Sequence, residues 1–172
     1  MRVIVAVAYV ACVVLANVLT EHFGLIPIGF GLLVTAGTFA AGGTLLARNI
    51  TQDWTGRAAV VVLMLAGCGL SWWLASPDLA VASAVAFLLS ESTDMAVFTP
   101  LRDRGWSRAV MGASLVGAVV DTFAFLYLAG FPLTADTVTG QLVVKVGISW
   151  LIAAAVGVSN AVLRQPVQRA RA

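Results

Sequence analysis

The sequence predicts an all-α integral membrane protein, a compact bundle of six transmembrane helices with both termini in the cytoplasm. Three observations lead there. Hydrophobic residues make up 60% of the 172 positions and charged residues only 10%, against roughly 25% charged in an ordinary soluble domain. With so little charge, and a mean hydropathy of +0.99, the chain cannot clothe a globular surface in water, so lipid must be its main solvent. The apolar residues also gather into six runs, each long enough to cross about 30 Å of hydrocarbon at about 1.5 Å per residue. Finally, the arginines fall on one side of the topology those runs create.

The first run, 3–20, follows Arg2 and has the look of a signal peptide. It is longer than a usual signal core, and no clean small-x-small cleavage site follows it. Tyr9-Val10-Ala11-Cys12 is a poor lipobox, so the segment reads as the first membrane helix. The second run, 25–47, is rich in small and kinking residues: Pro27, Gly29, Gly31, Gly37, Gly42 and Gly43. Gly37 and Ala41 form a small-xxx-small step that lets backbones approach closely. Packing is the preferred explanation, with irregular backbone lining a cavity as the alternative. The remaining runs are 57–75, 79–99, 107–130 and 140–163. The breaks between runs carry turn chemistry: Glu21–Gly24, Arg48–Asp53, Ser76-Pro77-Asp78, Pro100–Gly105 and Phe131–Asp136. None could hold a second domain, so residues 1–172 read as one. Cys12 and Cys68 lie in apolar runs and read as packing residues without a disulfide.

Orientation follows from the positive-inside rule. With the N-terminus inside, the cytoplasmic side receives Arg2, Arg48, Arg57, Arg102, Arg104, Arg108, Arg164, Arg169 and Arg171, and the outer side only Glu21, His22, Asp78 and Asp136. Trp72 and Trp73 at the outer end of the third run, and Trp106 at the inner end of the fifth, suit interfacial anchoring. A net charge of +2 is too small to argue for a nucleic-acid partner. The small-residue faces pack helices within a subunit as readily as between subunits, which leaves a homo-oligomer open.

Four ionisable residues, Glu91, Asp94, Asp121 and Lys145, interrupt the apolar runs. Each costs roughly 2.5–3.5 kcal/mol at the centre of a membrane helix, so such groups face a cavity or one another. Counting along the fourth run puts Glu91 about 18–20 Å below the outer face and Asp94 about one turn deeper. Asp121 and Lys145 fall at similar depths in the outer halves of the fifth and sixth runs, where they can meet. Glu91 and Asp94 share a face at i, i+3. Ser114, Gly117 and Asp121 form one stripe, and Gln141, Lys145 and Ser149 another. Asn17 adds a polar group from the first run, and Thr35 and Thr38 from the second. Polar stripes at overlapping depths are what a central, ligand-sized cavity requires. A purely structural salt bridge would account for Asp121 and Lys145, but not for the set, whose three carboxylates and one ammonium leave two negative charges over. Bound protons, a cation, or N–H donors on a substrate would neutralise them.

The same residues speak against an enzyme. His22 is the sole histidine and lies in an outer loop, so no metal cluster and no Ser–His pair arises in the bundle, and no cofactor is expected. Gly112–Gly117 is a small-residue helix face, not a nucleophile elbow, and no phosphate-binding loop is present.

Ser90-Glu91-Ser92-Thr93-Asp94, Phe98, Leu101-Arg102, Trp106-Ser107-Arg108, and Ser114-Leu115-Val116-Gly117 through Asp121-Thr122 together resemble the queuosine-precursor transporter family, also called the vitamin-uptake-transporter-like family. Asn17-Val18-Leu19-Thr20 is similar to its early motif, Arg48-Asn49 to Gly56-Arg57 to its second cytoplasmic loop, and Gln141 to Lys145 to its last helix. Asn49 stands where an acidic residue is expected, and Gly157-Val158-Ser159-Asn160 where a proline is common. The resemblance implies a six-helix, multi-pass importer of 7-deazaguanine bases in the bacterial cytoplasmic (inner) membrane. It also implies kinship with the substrate-binding subunits of energy-coupling-factor transporters. Glu91, Asp94 and Asp121 would accept the purine-like substrate's N–H groups, and Lys145, Asn17 or Gln141 would donate to its carbonyl. Phe98, Phe123, Phe125 or Trp150 would stack on the ring. The rival readings are a solitary vitamin-binding subunit that borrows an ATPase, and a membrane scaffold without transport. The cyano precursor, the aminomethyl precursor, queuine and unrelated vitamins all stand as cargo.

Overall fold

The computed structural model describes residues 2–101, 103, 105–148, 150, 151 and 154. Arg102, Arg104, Ser149, the end of the predicted sixth span with Gly157–Asn160, and Arg164, Arg169 and Arg171 lie outside the described residues.

The chain is mostly helical. Helix α1 covers Arg2–Phe23, α2 Thr38–Thr55, α3 Arg57–Leu74, α4 Pro77–Leu101 and α5 Trp106–Leu128. A sixth helix, α6, runs over 135–148. Between α1 and α2 stand two short antiparallel strands, β1 Leu25–Gly29 and β2 Leu32–Thr35. Helices thus cover the first, third, fourth and fifth apolar runs to within a few residues.

The second run is not the continuous helix expected over 25–47. Its first half is the β1–β2 hairpin, paired from Leu25↔Thr35 to Gly29↔Leu32 with an irregularity between Pro27 and Gly29. Pro27 has no N–H for a helical ladder. Gly29, Phe30 and Gly31 turn the chain with φ of 94°, 54° and 75°, a left-handed run no right-handed helix can contain. The second half begins a helix at Thr38 that continues through the expected Arg48–Asp53 turn to Thr55. Gly56, at φ 85°, alone separates α2 from α3, a reversal that costs a residue with a Cβ considerably more.

The sixth helix also starts earlier than the expected 140. The Thr134 amide donates to Thr137 Oγ1 at 3.1 Å, and the Thr137 amide donates back to Thr134 Oγ1 at 3.4 Å. This reciprocal cap satisfies two amides at the start of α6, and Asp136 in the first turn complements the positive end of the helix dipole.

Helices α4 and α5 lie side by side along their lengths; α1 packs on α2 and α3, and α3 on α4. Tyr9, Val13, Val60, Met64 and Cys68 form an apolar core between α1 and α3, with Phe87 of α4 against it. Two close approaches fix the hairpin and α2. A Cβ on Gly37 would overlap the carbonyl of Ala16 in α1, and a Cβ on Gly140 the backbone of Leu33 in β2.

Three helical stretches are long and apolar enough to cross a membrane: Ala6–Phe23, Pro77–Leu101 and Met111–Leu128. α3 carries a shorter apolar stretch, Ala58–Leu74. At most 28% of the residues in any of the three long stretches is buried. Their apolar side chains therefore point outward, where a soluble protein would place polar ones. Val3, Val7, Trp73, Tyr127 and Leu151 are all well exposed. Contiguous apolar surface on this scale is the mark of a membrane protein.

Candidate functional site

The buried polar residues of the helices converge on one cavity of about 120 Å³. A single water needs roughly 10–15 Å³ by this measure, so the space suits a small ring-sized molecule. Asn17, Glu91, Asp94, Asp121, Gln141 and Lys145, drawn from α1, α4, α5 and α6, all line it. Thr35 of β2 and Thr38 of α2 join them.

Three polar groupings surround the cavity. In the first, Lys145 Nζ of α6 donates to Asp121 Oδ2 of α5 at 2.6 Å and to Thr122 Oγ1 at 3.3 Å. The second brings in a residue not expected there. Arg48 Nη2 donates to Glu91 Oε1 in a short ion pair and to Asp94 Oδ2 at 3.2 Å. Arg48 is buried, so it is not the cytoplasmic loop arginine of the orientation count. It sits in α2 on a stripe with Ala41 and Thr44, and Gly37 just before the helix continues that spacing, all cavity-lining. That i, i+3/i+4 spacing was the available signal. The turn-like composition of 48–53 hid it. The cluster's missing cation is therefore a protein residue, and the formal excess among the five cavity-lining charges is one negative, not two.

The third grouping ties α1, α3 and α4 through neutral groups. Asn17 Nδ2 donates to Ser71 Oγ at 3.0 Å, and Ser83 Oγ donates to Asn17 Oδ1 at 2.5 Å. Nearby, the Gly37 amide donates to Thr20 Oγ1 at 3.2 Å, Thr35 and Thr38 share a hydroxyl bond at 2.9 Å, and Gln141 Nε2 donates to Thr35 Oγ1 at 3.5 Å. Both Asn17 amide ends are engaged. Gln141 differs: it is fully buried, yet its Oε1 has no hydrogen-bond partner among the described residues.

Accessibility grades the carboxylates. The Glu91 side chain is 8% exposed, Asp94 18% and Asp121 28%. All three line the cavity, the two aspartates being the more exposed and Glu91 the most buried, in its ion pair with Arg48. Gly117 of α5 faces Asp94, and a Cβ there would stand 3.5 Å from Asp94 Oδ1; the missing side chain leaves that carboxylate uncovered. Of the four expected stacking aromatics only Phe125 lines the cavity, its ring stacked on Phe131 at 6.2 Å. Phe87, not singled out from the sequence, lines it too, whereas Phe98, Phe123 and Trp150 do not. A concave space that combines apolar and aromatic side chains with convergent polar groups is the usual form of a small-molecule site.

A helical membrane protein with a polar-lined cavity among its helices has the architecture of a small-molecule carrier. Residues 4–158 match the model of the family described as "Putative vitamin uptake transporter", and the chain belongs to that family. No curated protein and no solved structure matches it. Membership of an uptake-transporter family favours a carrier over an enzyme.

Proposed function

We propose that this chain is a single-domain, multi-pass carrier of the bacterial cytoplasmic membrane that imports a queuosine-precursor base of the 7-deazaguanine class. All six helices would span the bilayer, with both termini on the cytoplasmic side where the arginines cluster. The observation that supports this most is the cavity, which sets carboxylates, an amide end unpartnered among the described residues and an aromatic face around one ring-sized space. A 7-deazaguanine offers ring N–H and amine donors to Asp94 and Asp121, a ring face to Phe125 or Phe87, and polar edges to Gln141. Lys145 and Asn17 complete the wall. No cofactor or metal enters this scheme, and kinship with energy-coupling-factor subunits belongs to the same reading.

The test is uptake of labelled 7-deazaguanine bases into cells lacking their own synthesis and transport, with and without this chain. We expect uptake with the wild-type chain and its loss in Asp121→Asn, with the variant still inserted in the membrane. Full uptake by Asp121→Asn would remove that carboxylate from the site. An inserted wild-type chain that moves none of these bases would overturn the cargo. Repeating the assay in a host without energy-coupling modules separates a self-sufficient carrier from a subunit that borrows an ATPase. A pure scaffold predicts no uptake in either host.

A further inference from the structure

The cavity charges are unevenly paired. Lys145 forms an ion pair with Asp121. Arg48 instead serves two carboxylates, Glu91 and Asp94, with a single guanidinium. The one negative charge left over in the lining set therefore resides on the Arg48 cluster. Within that cluster it is most available at Asp94, whose bond to Arg48 is the longer of the two and whose side chain is the more exposed. The bare Gly117 backbone opposite keeps Asp94 open to the cavity. An uncompensated charge in a low-dielectric space is costly, so the site is energetically incomplete when empty. A second observation points to a ligand in the same space: Gln141, fully buried, lines it with an amide end unpartnered among the described residues.

We infer that the transported molecule is a monocation whose positive group is met by Asp94, while Gln141 hydrogen-bonds another edge of the same molecule. This rests on the carrier reading and deepens it. Within the 7-deazaguanine class it selects bases bearing a protonated amine substituent over otherwise identical neutral ones. The aminomethyl base is cationic and the cyano base neutral. The charge of Asp121 faces Lys145 in an ion pair, so Asp121 accepts a hydrogen bond and does not set the charge preference.

The experiment is uptake of the labelled aminomethyl and cyano bases, each competed by the other, at fixed pH and membrane potential. A charge-assisted contact predicts a half-saturating concentration for the aminomethyl base about tenfold or more below that of the cyano base. In Asp94→Asn that ratio should fall toward one. Equal half-saturation in the wild-type chain, or a preference for the cyano base, would overturn the charge assignment while leaving the carrier reading in place. A wild-type preference that persists undiminished in an inserted Asp94→Asn would overturn the role of Asp94. Should that variant fail to insert, the wild-type competition decides the charge preference alone, and Asp94→Glu, which keeps the charge and shifts it by one methylene, must retain it. Uptake of neither base by the inserted wild-type chain removes both as cargo and overturns this inference, while the family-level transporter assignment stands.

Discussion

At the scale of single residues, Arg48 changes the account of the site most. One nitrogen of its guanidinium, Nη2, donates to both Glu91 and Asp94. Removing one partner of a buried ion pair strands the other, at a cost of about 3–5 kcal/mol. Arg48→Met should therefore lower thermal stability in detergent sharply, and adding Glu91→Gln should recover part of the loss. A single variant as stable as the wild-type chain would show that Glu91 and Asp94 find another counter-charge. The six residues expected at the site were legible because a charge or amide in an apolar run must be justified energetically. Arg48 was not, since arginine beside Asn49, Thr51, Gln52 and Asp53 reads as an ordinary turn.

At the scale of elements, legibility depended on whether length or pattern carried the information. Helices α1, α3, α4 and α5 declared themselves by the length of their apolar runs. The hairpin did not, because Leu25–Thr35 is apolar throughout apart from its final threonine. A uniformly apolar strand has no alternation to separate it from a helix. Pro27 and the glycines around Phe30 were the true signal, and their spacing fits a tight strand turn better than a kinked helix. The hairpin also depends on α6 for its position, through the bare backbone of Gly140 against Leu33. Gly140→Leu should push the two apart and cost about 1–3 kcal/mol, as overpacked cores do, read as a lower melting temperature in detergent. Gly69→Ala, where an added Cβ meets nothing within 4 Å, should cause no such loss. If the two variants behave alike, the close approach is not a constraint.

At the scale of the whole molecule, one cavity gathers polar groups from widely separated parts of the chain, and its charge ledger governs how the carrier meets the electric field of the membrane. If the empty cavity holds one surplus negative charge and the loaded cavity none, the two halves of a transport cycle differ electrically. The loaded site turns inward without moving net charge. The empty site returns outward carrying its surplus, and an interior-negative potential pushes it that way by up to about 2.3 kcal/mol per 100 mV for a full crossing. Voltage would then reset the carrier with no ATP-hydrolysing partner. Uptake into vesicles should accordingly accelerate when a potassium diffusion potential, negative inside, is imposed, and rates indifferent to voltage would rule this cycle out. The single guanidinium shared between Glu91 and Asp94 would thus be what turns a passive pore wall into a current-carrying machine, moving one elementary charge for every molecule delivered.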